Sequence, residues 1–247
     1  MRIVVKVGTS TLAHPTGRQN IQRMERLCKV LSDLKNAGHE VILVSSGAIA
    51  MGVGKLNLPG RPADMPTKQA AAAIGQCELM YFYDKLFTAP DIAEGGVRKE
   101  NFHNTLERLL DLGALPVINE NDTISTDEIV IGDNDTLSAT VAATVRAELL
   151  ILLSDIDGLY DSDPHKNPDA KLISVVPELT EDILRLGGGA GSALGTGGMA
   201  TKLHAAQIAT AAGCEMVIAN GQAPELLYDI AAGKPVGTRF LTGRANT

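Results

Sequence analysis

The 247-residue sequence has no Trp and only 4 Tyr and 4 Phe. Stacking platforms for single-stranded nucleic acid, and cages for sugars or quaternary ammonium groups, are built from aromatic faces, so this composition argues against both. Positive charge is also in deficit: 22 Lys and Arg stand against 29 Asp and Glu, a formal net charge of −7. An acidic chain is poorly suited to tracking a phosphate backbone. The three cysteines, Cys28, Cys77 and Cys214, are odd in number and far apart. They offer no zinc spacing and no redox pair, and a reducing, cytoplasmic compartment is the simplest reading. The five histidines, His14, His39, His103, His165 and His204, show no metal-ligand spacing. No apolar run approaches the ~20 residues of a membrane span, and the opening run Arg2 to Val7 is too short for a signal peptide. Neither G-x-S-x-G nor H-E-x-x-H occurs.

Hydrophobic residues make up 45% of the chain and charged residues 21%, which is a globular composition with material for a large core. Short apolar runs alternate with helical periods. Ile3-Val4-Val5, Val41 to Val44, Pro116 to Ile118, Leu149 to Leu153 and Met216 to Ile218 read as buried strands. Between them, helical spacing covers about Ile21 to Leu34, Lys68 to Leu86, Phe102 to Leu110, Thr136 to Ala147, Met199 to Ala212 and Leu226 to Ile230. Alternation of apolar strands with helices predicts an α/β fold, a mostly parallel sheet covered on both faces. Ligands of such folds sit beyond the carboxyl ends of the strands, so the residues that follow each strand carry the functional argument.

After the first strand comes Lys6-Val7-Gly8-Thr9-Ser10, a charge followed by a small-residue turn that suits a phosphate. A plain turn fits equally, but a Lys within a buried strand is costly without a partner. After the second strand, Ser45-Ser46-Gly47-Ala48 reads as a helix cap or as donors to an anion. After the third come Asn119-Glu120-Asn121-Asp122 and Gly132-Asp133-Asn134-Asp135, either an acidic hairpin with a cap or a convergence of amides and carboxylates. After the fourth, Ser154-Asp155-Ile156-Asp157-Gly158 reads as a turn opening a hairpin. Late in the chain, Gly195-Thr196-Gly197-Gly198-Met199-Ala200-Thr201-Lys202 opens a helix. It matches G-x-G-x-x-A formally, but without a preceding strand a dinucleotide site is poorly supported. A Lys in a first helical turn opposes the helix dipole, which an anionic ligand would explain.

Taken in order, these segments, with Asp157-Gly158-Leu159-Tyr160, Asp163-Pro164 and Asn167-Pro168, resemble the amino acid kinase family over nearly the whole chain. Each is weak alone; the ordered set is specific. The resemblance implies a three-layer αβα sandwich around a central, mostly parallel sheet. It implies one domain, residues 1–247, with the acceptor and phosphoryl-transfer site in about 1–150 and the ATP site in about 151–247. The Asn-Glu-Asn-Asp and Gly-Asp-Asn-Asp pair points to the branch that phosphorylates the γ-carboxylate of L-glutamate, with ATP and Mg²⁺, as the first step of proline biosynthesis. Carried onto this sequence, Lys6 and Lys202 would neutralise the transferring phosphoryl group and Asp135 would hold them. Ser46, Asp122 and Asn134 would bind glutamate. Lys6, Gly8, Thr9, Ser10, Ser154, Asp155, Thr196, Gly197, Gly198, Met199, Ala200, Thr201 and Lys202 would bind ATP. No protein ligand for the metal is implied, since Mg²⁺ rides on the phosphates. L-proline as a feedback inhibitor, a homo-oligomer (dimer or tetramer), and no nucleic-acid or membrane partner are further implications. Acetylglutamate kinase, aspartokinase, uridylate kinase and a catalytically silent ATP or amino-acid sensor are the alternatives.

Two departures stand out. Members of that branch carry an apolar strand where this chain has only Thr88 to Gly96, so either the sheet is one strand short or residues are missing. The second is favoured, because losing an interior strand would leave two unpaired edges. The chain also stops soon after Phe240, where many relatives continue into a PUA domain, so a single-domain form is expected.

Overall fold

The computed structural model describes residues 1–14, 18–87, 99–120, 133–164, 166–188 and 198–243. Seven strands form one sheet: β1 (Arg2–Val7), β2 (Glu40–Ser45), β3 (Val117–Ile118), β4 (Leu149–Ser154), β5 (Val175–Val176), β6 (Glu215–Asn220) and β7 (Thr238–Phe240). Their order is β3-β2-β1-β4-β6-β7-β5, and only the β6–β7 pairing is antiparallel. The helices are α1 (Thr9–Leu12), α2 (Ile21–Asn36), α3 (Ala48–Lys55), α4 (Met65–Leu86), α5 (Lys99–Asp111), α6 (Asn134–Thr144), α7 (Glu181–Arg185), α8 (Met199–Ala211) and α9 (Leu226–Ala231).

Alternation along β1 builds the two sides of the molecule. Ile3, Val5 and Val7 enter a core with Leu27 and Leu31 of α2, Leu79 and Tyr83 of α4, and Leu227 and Ile230 of α9. Val4 enters the opposite core, with Leu106 of α5, Ala139 and Ala142 of α6, and Ala205 and Ala206 of α8. The molecule is therefore the expected αβα sandwich. By the same alternation Lys6 lies on the α6–α8 side, paired in register with Val44 of β2 and Leu152 of β4.

The strand and helix expectations hold with small shifts of boundary. The sequence reading missed α1, α7, β5 and β7, and it gave α3 only as the helix that Ser45-Ser46-Gly47-Ala48 would open, where Gly47 stands at the cap position and no serine side chain caps it. All are short, and β5 and β7 exist through pairing with each other and with β6. Helix α6 starts at Asn134, two residues earlier than its apolar period, because Asp133 caps it: the Asp133 carboxylate accepts the Thr136 amide at 2.8 Å. The turn after β4 does open a hairpin-like excursion, in which Tyr160 bridges antiparallel to Leu172. The Thr88 to Gly96 connection lies outside the described residues, and β3 forms the sheet edge among those that are described.

Helices α3 and α4 touch backbone to backbone. A Cβ on Gly52 would stand 1.8 Å from the Ala71 carbonyl oxygen, and one on Gly75 would stand 1.7 Å from that of Ala48. Only glycine permits this approach, and it holds α4 tightly over the exit of β2.

Candidate active site

Helix caps separate two kinds of helix. Asn20, Asp64, Asp133 and Thr180 cap α2, α4, α6 and α7 with side-chain oxygens. Gly8, Gly47 and Gly198 stand before α1, α3 and α8, where no side chain caps the helix. Gly47 takes a left-handed φ of 112°, which turns the chain sharply from β2 into α3. Helix α9, behind Glu225, also lacks a side-chain cap. The glycine-led uncapped ends follow β1 and β2 and open α8, the helix that carries Lys202. Their first amides are donors suited to anionic groups.

Two lysines and one aspartate meet beside these ends. Lys6 Nζ lies 2.6 Å from Asp135 Oδ1, and Lys202 Nζ lies 3.1 Å from Asp135 Oδ2. Asp135 is 1% exposed, Lys202 4% and Lys6 8%. Thr201 Oγ1 is 2.9 Å from Asp135 Oδ2 and 2.7 Å from the Gly198 carbonyl oxygen, a choice of two acceptors for one proton. Burial pushes the Asp135 carboxyl up, but Lys6 and Lys202 overcome that and hold it below the ordinary aspartate value. The three side chains together carry one excess positive charge in a nearly dry setting, which suits an incoming phosphate.

A second network lies at the exits of β2 and β3. Asn134 Nδ2 donates to Ser46 Oγ at 2.8 Å and to Asn119 Oδ1 at 3.2 Å. Asn119 Nδ2 donates to Gln76 Oε1 of α4 at 2.8 Å. Behind Ser46, the buried Tyr83 hydroxyl is 2.7 Å from Ser45 Oγ, and Ser45 Oγ donates to the Ser46 carbonyl at 3.0 Å. Adjacent residues Asn134 and Asp135 thus serve different networks, one of amides and one of charges.

Of the residues singled out from sequence, Lys6, Asp135, Thr201 and Lys202 come together in the charge cluster, and Ser46 and Asn134 in the amide network. Gly8, Thr9 and Ser10 form the turn after β1, whose Gly8 amide donates to the Leu153 carbonyl of β4 at 3.3 Å. Ser154 and Asp155 leave β4, the Ser154 hydroxyl donating to the Asp155 carboxylate at 3.1 Å. Gly198, Met199 and Ala200 begin α8. Asp122, Thr196 and Gly197 lie outside the described residues. Sequence reasoning missed Gln76 and Tyr83: both sit within α4, where a helical period records burial but not which neighbour a polar tip will meet. It also read Thr201 as a nucleotide contact and gave no hint of its bond to Asp135. Among the described residues, no group of three His, Cys, Asp or Glu side chains is placed to hold a metal ion, and no helix is long and apolar enough to cross a membrane.

Residues 1–220 match the model of the amino acid kinase family. A glutamate 5-kinase of Clostridium perfringens is 51% identical over 255 residues, covering 97% of this chain and 95% of the relative. That alignment is longer than the 247 residues here, so the relative has residues without a counterpart in this chain. A glutamate 5-kinase of Caldanaerobacter subterraneus is 52% identical over 98% of this chain and 68% of its own length. Among solved structures, a carbamate kinase from Giardia lamblia bound to AMP-PNP superposes with a TM-score of 0.69 at 20% identity, covering 97% of this chain and 98% of that one. A UMP kinase from Bacillus anthracis does so with a TM-score of 0.67 at 17% identity, over 98% of this chain and 96% of its own. At those identities the likeness shows the fold.

Proposed function

The chain belongs to the amino acid kinase family, and from that premise we infer its reaction: ATP-dependent phosphorylation of the γ-carboxylate of L-glutamate to L-glutamyl 5-phosphate, the first step of proline biosynthesis. The observation that carries this reading is its close likeness, over nearly its full length, to glutamate 5-kinases. It favours none of the sister kinases, and a silent sensor would have no need of the buried Lys6–Asp135–Lys202 cluster.

In the proposed mechanism a γ-carboxylate oxygen attacks the terminal phosphorus of ATP. The bond from that phosphorus to the bridging oxygen breaks, and ADP leaves. The attacking carboxylate is already ionised at neutral pH, with a reference value near ~4.3, so no general base is required. Catalysis then rests on alignment and on stabilising charge. Lys6 and Lys202 supply that charge, and Asp135 fixes both ammonium groups before substrate arrives. The turn Gly8-Thr9-Ser10 and the start of α8, Gly198 to Lys202, are assigned to the phosphates, a reading supported by two helix starts that no side chain caps. Ser154 and Asp155, at the exit of β4, are assigned to the nucleotide, together with Thr196 and Gly197. Ser46, Asn134 and Asp122 are assigned to glutamate. The uncapped amides and the excess positive charge fit a Mg²⁺-bound nucleotide, whose metal neutralises part of the phosphate charge. On this assignment residues 1–150 carry the acceptor and transfer site, and 151–247 the ATP site.

Inhibition by L-proline, a homo-oligomeric state and a cytoplasmic location belong to the same proposal. The three free cysteines fit a reducing compartment. The test is a glutamyl-hydroxamate assay with Mg·ATP, run with and without proline, beside a panel of N-acetylglutamate, aspartate and UMP. Glutamate-dependent turnover is the expected result, and turnover with another acceptor alone would overturn the reading. A rate that stays flat against added proline would remove the inhibitor from the proposal.

A further inference from the structure

We propose that Gln76 is a positioning residue that anchors an amide chain, Gln76–Asn119–Asn134–Ser46, whose polarity the Glu120 backbone amide sets, and that by holding Asn119 in place it keeps Asn134 Oδ1 presented as an acceptor for the α-ammonium group of the substrate. The argument begins at a group whose direction is certain. The Glu120 backbone amide can only donate, and it points at the Asn119 side chain at 2.9 Å. The atom it meets is therefore the oxygen, Oδ1. The other end of the Asn119 amide is then Nδ2, which needs an acceptor and finds Gln76 Oε1 at 2.8 Å. Asn119 Oδ1, already committed as an acceptor, faces Asn134 at 3.2 Å, so the facing atom of Asn134 must be Nδ2. The same Nδ2 also donates to Ser46 Oγ. The oxygen of Asn134 is left over: it is buried and has no hydrogen-bond partner among the described residues.

Turning Asn134 over would set oxygen against oxygen at Asn119, so the orphan atom is an acceptor by necessity. A buried carbonyl without a partner is costly, and a ligand donor removes that cost. Glutamate has one such donor, the α-ammonium; both its carboxylates only accept. Gln76 can hold its end of the chain because α4 is pinned at that level, where Gly75 meets the Ala48 carbonyl.

The assignment of the donor rests on glutamate being the phosphoryl acceptor. The experiment compares wild type with Gln76→Met, similar in length but without an acceptor, and with Gln76→Ala, which only removes atoms. KM for L-glutamate, KM for ATP and kcat are measured, and glutarate, which has both carboxylates and no ammonium, is titrated as a competitor. In both variants KM for glutamate rises roughly three- to tenfold, while kcat, KM for ATP and the glutarate inhibition constant stay within about twofold. An unchanged KM for glutamate, or a parallel rise in KM for ATP, overturns the positioning role. A glutarate constant that rises as much as KM for glutamate overturns the ammonium assignment. If wild type turns over no glutamate, the reaction reading fails instead. Calorimetric binding of glutamate and glutarate to the three proteins then decides on the amide chain by the same split.

Discussion

Replacing Asp135 with Asn leaves the shape of the site and removes the one charge that its two buried lysines share. At an effective dielectric constant of about 20, contacts of 2.6 and 3.1 Å correspond to about 6 and 5 kcal/mol of attraction. Dehydration of three charged groups offsets most of that. The measured consequence of removing one partner from a buried ion pair is about 3–5 kcal/mol, because the remaining charge is stranded. For a domain of this size each kcal/mol moves Tm by about 2–4 °C, so Asp135→Asn should melt roughly 6–20 °C below wild type at neutral pH. The same geometry predicts a pH dependence. Despite its burial, the Asp135 carboxyl is held below the ordinary value of 3.8 by Lys6 and Lys202. A carboxylate depressed in the folded state stabilises the fold above its unfolded value, and that stability is lost as pH falls through the folded value. The gap between variant and wild type should therefore be full at neutral pH and close as the pH drops below 3.8. Scanning calorimetry across that range is the assay, with the hydroxamate rate at neutral pH beside it; kcat should fall about a hundredfold or more. A variant melting within about 2 °C of wild type at neutral pH, or a gap that persists unchanged in acid, would refute the reasoning.

Lys6→Ala and Lys202→Ala should each lower kcat by about 10² to 10³ with smaller changes in KM, since each charge acts chiefly in the transition state; wild-type-like turnover in either would remove that lysine from the mechanism. Tyr83→Phe takes one hydroxyl from a buried pair with Ser45 and should cost about 1 kcal/mol in urea unfolding. Gly75→Ala drives a methyl into the Ala48 carbonyl and should cost about 3 kcal/mol or more, read as a lower urea midpoint; an unchanged midpoint would mean that α3 and α4 part freely. Burial pushes the Cys28 and Cys214 thiols up to about 12, whereas Cys77 is exposed. A thiol reagent at mildly alkaline pH should titrate one fast thiol in the native protein and three after denaturation; rapid reaction of all three in the native state would contradict that burial.

Much of the sheet was legible in the chain. Strands β1, β2, β4 and β6 are runs of apolar residues buried on both faces, and a parallel sheet between helices requires such runs. Strands β5 and β7, two and three residues long, carry too little pattern to be read and are defined by their pairing. At the site, a lysine within a buried strand already demanded a counter-charge, and glycines ahead of helices already suggested anions. Which carboxylate answers Lys6 is not set by local composition: the family resemblance implied Asp135, and the structure brings the two together. The candidates Glu120, Asp133 and Asp135 are equally acidic as text. α6 begins so that Asp133 turns to its own helix cap and Asp135 to the lysines.

The sequence by itself determined the class of fold, the strand exits where chemistry would gather, and the need for a partner at Lys6, because burial and charge are properties of local composition. That Lys6 and Lys202, 196 positions apart in the chain, share Asp135 was implied by the family resemblance and not by local pattern; only the tertiary structure decided that Thr201 turns toward that aspartate and that Gln76 begins an amide chain ending in an unpaired oxygen. Hydrogen bonds have direction, and direction appears only when donors and acceptors from separate elements are brought face to face.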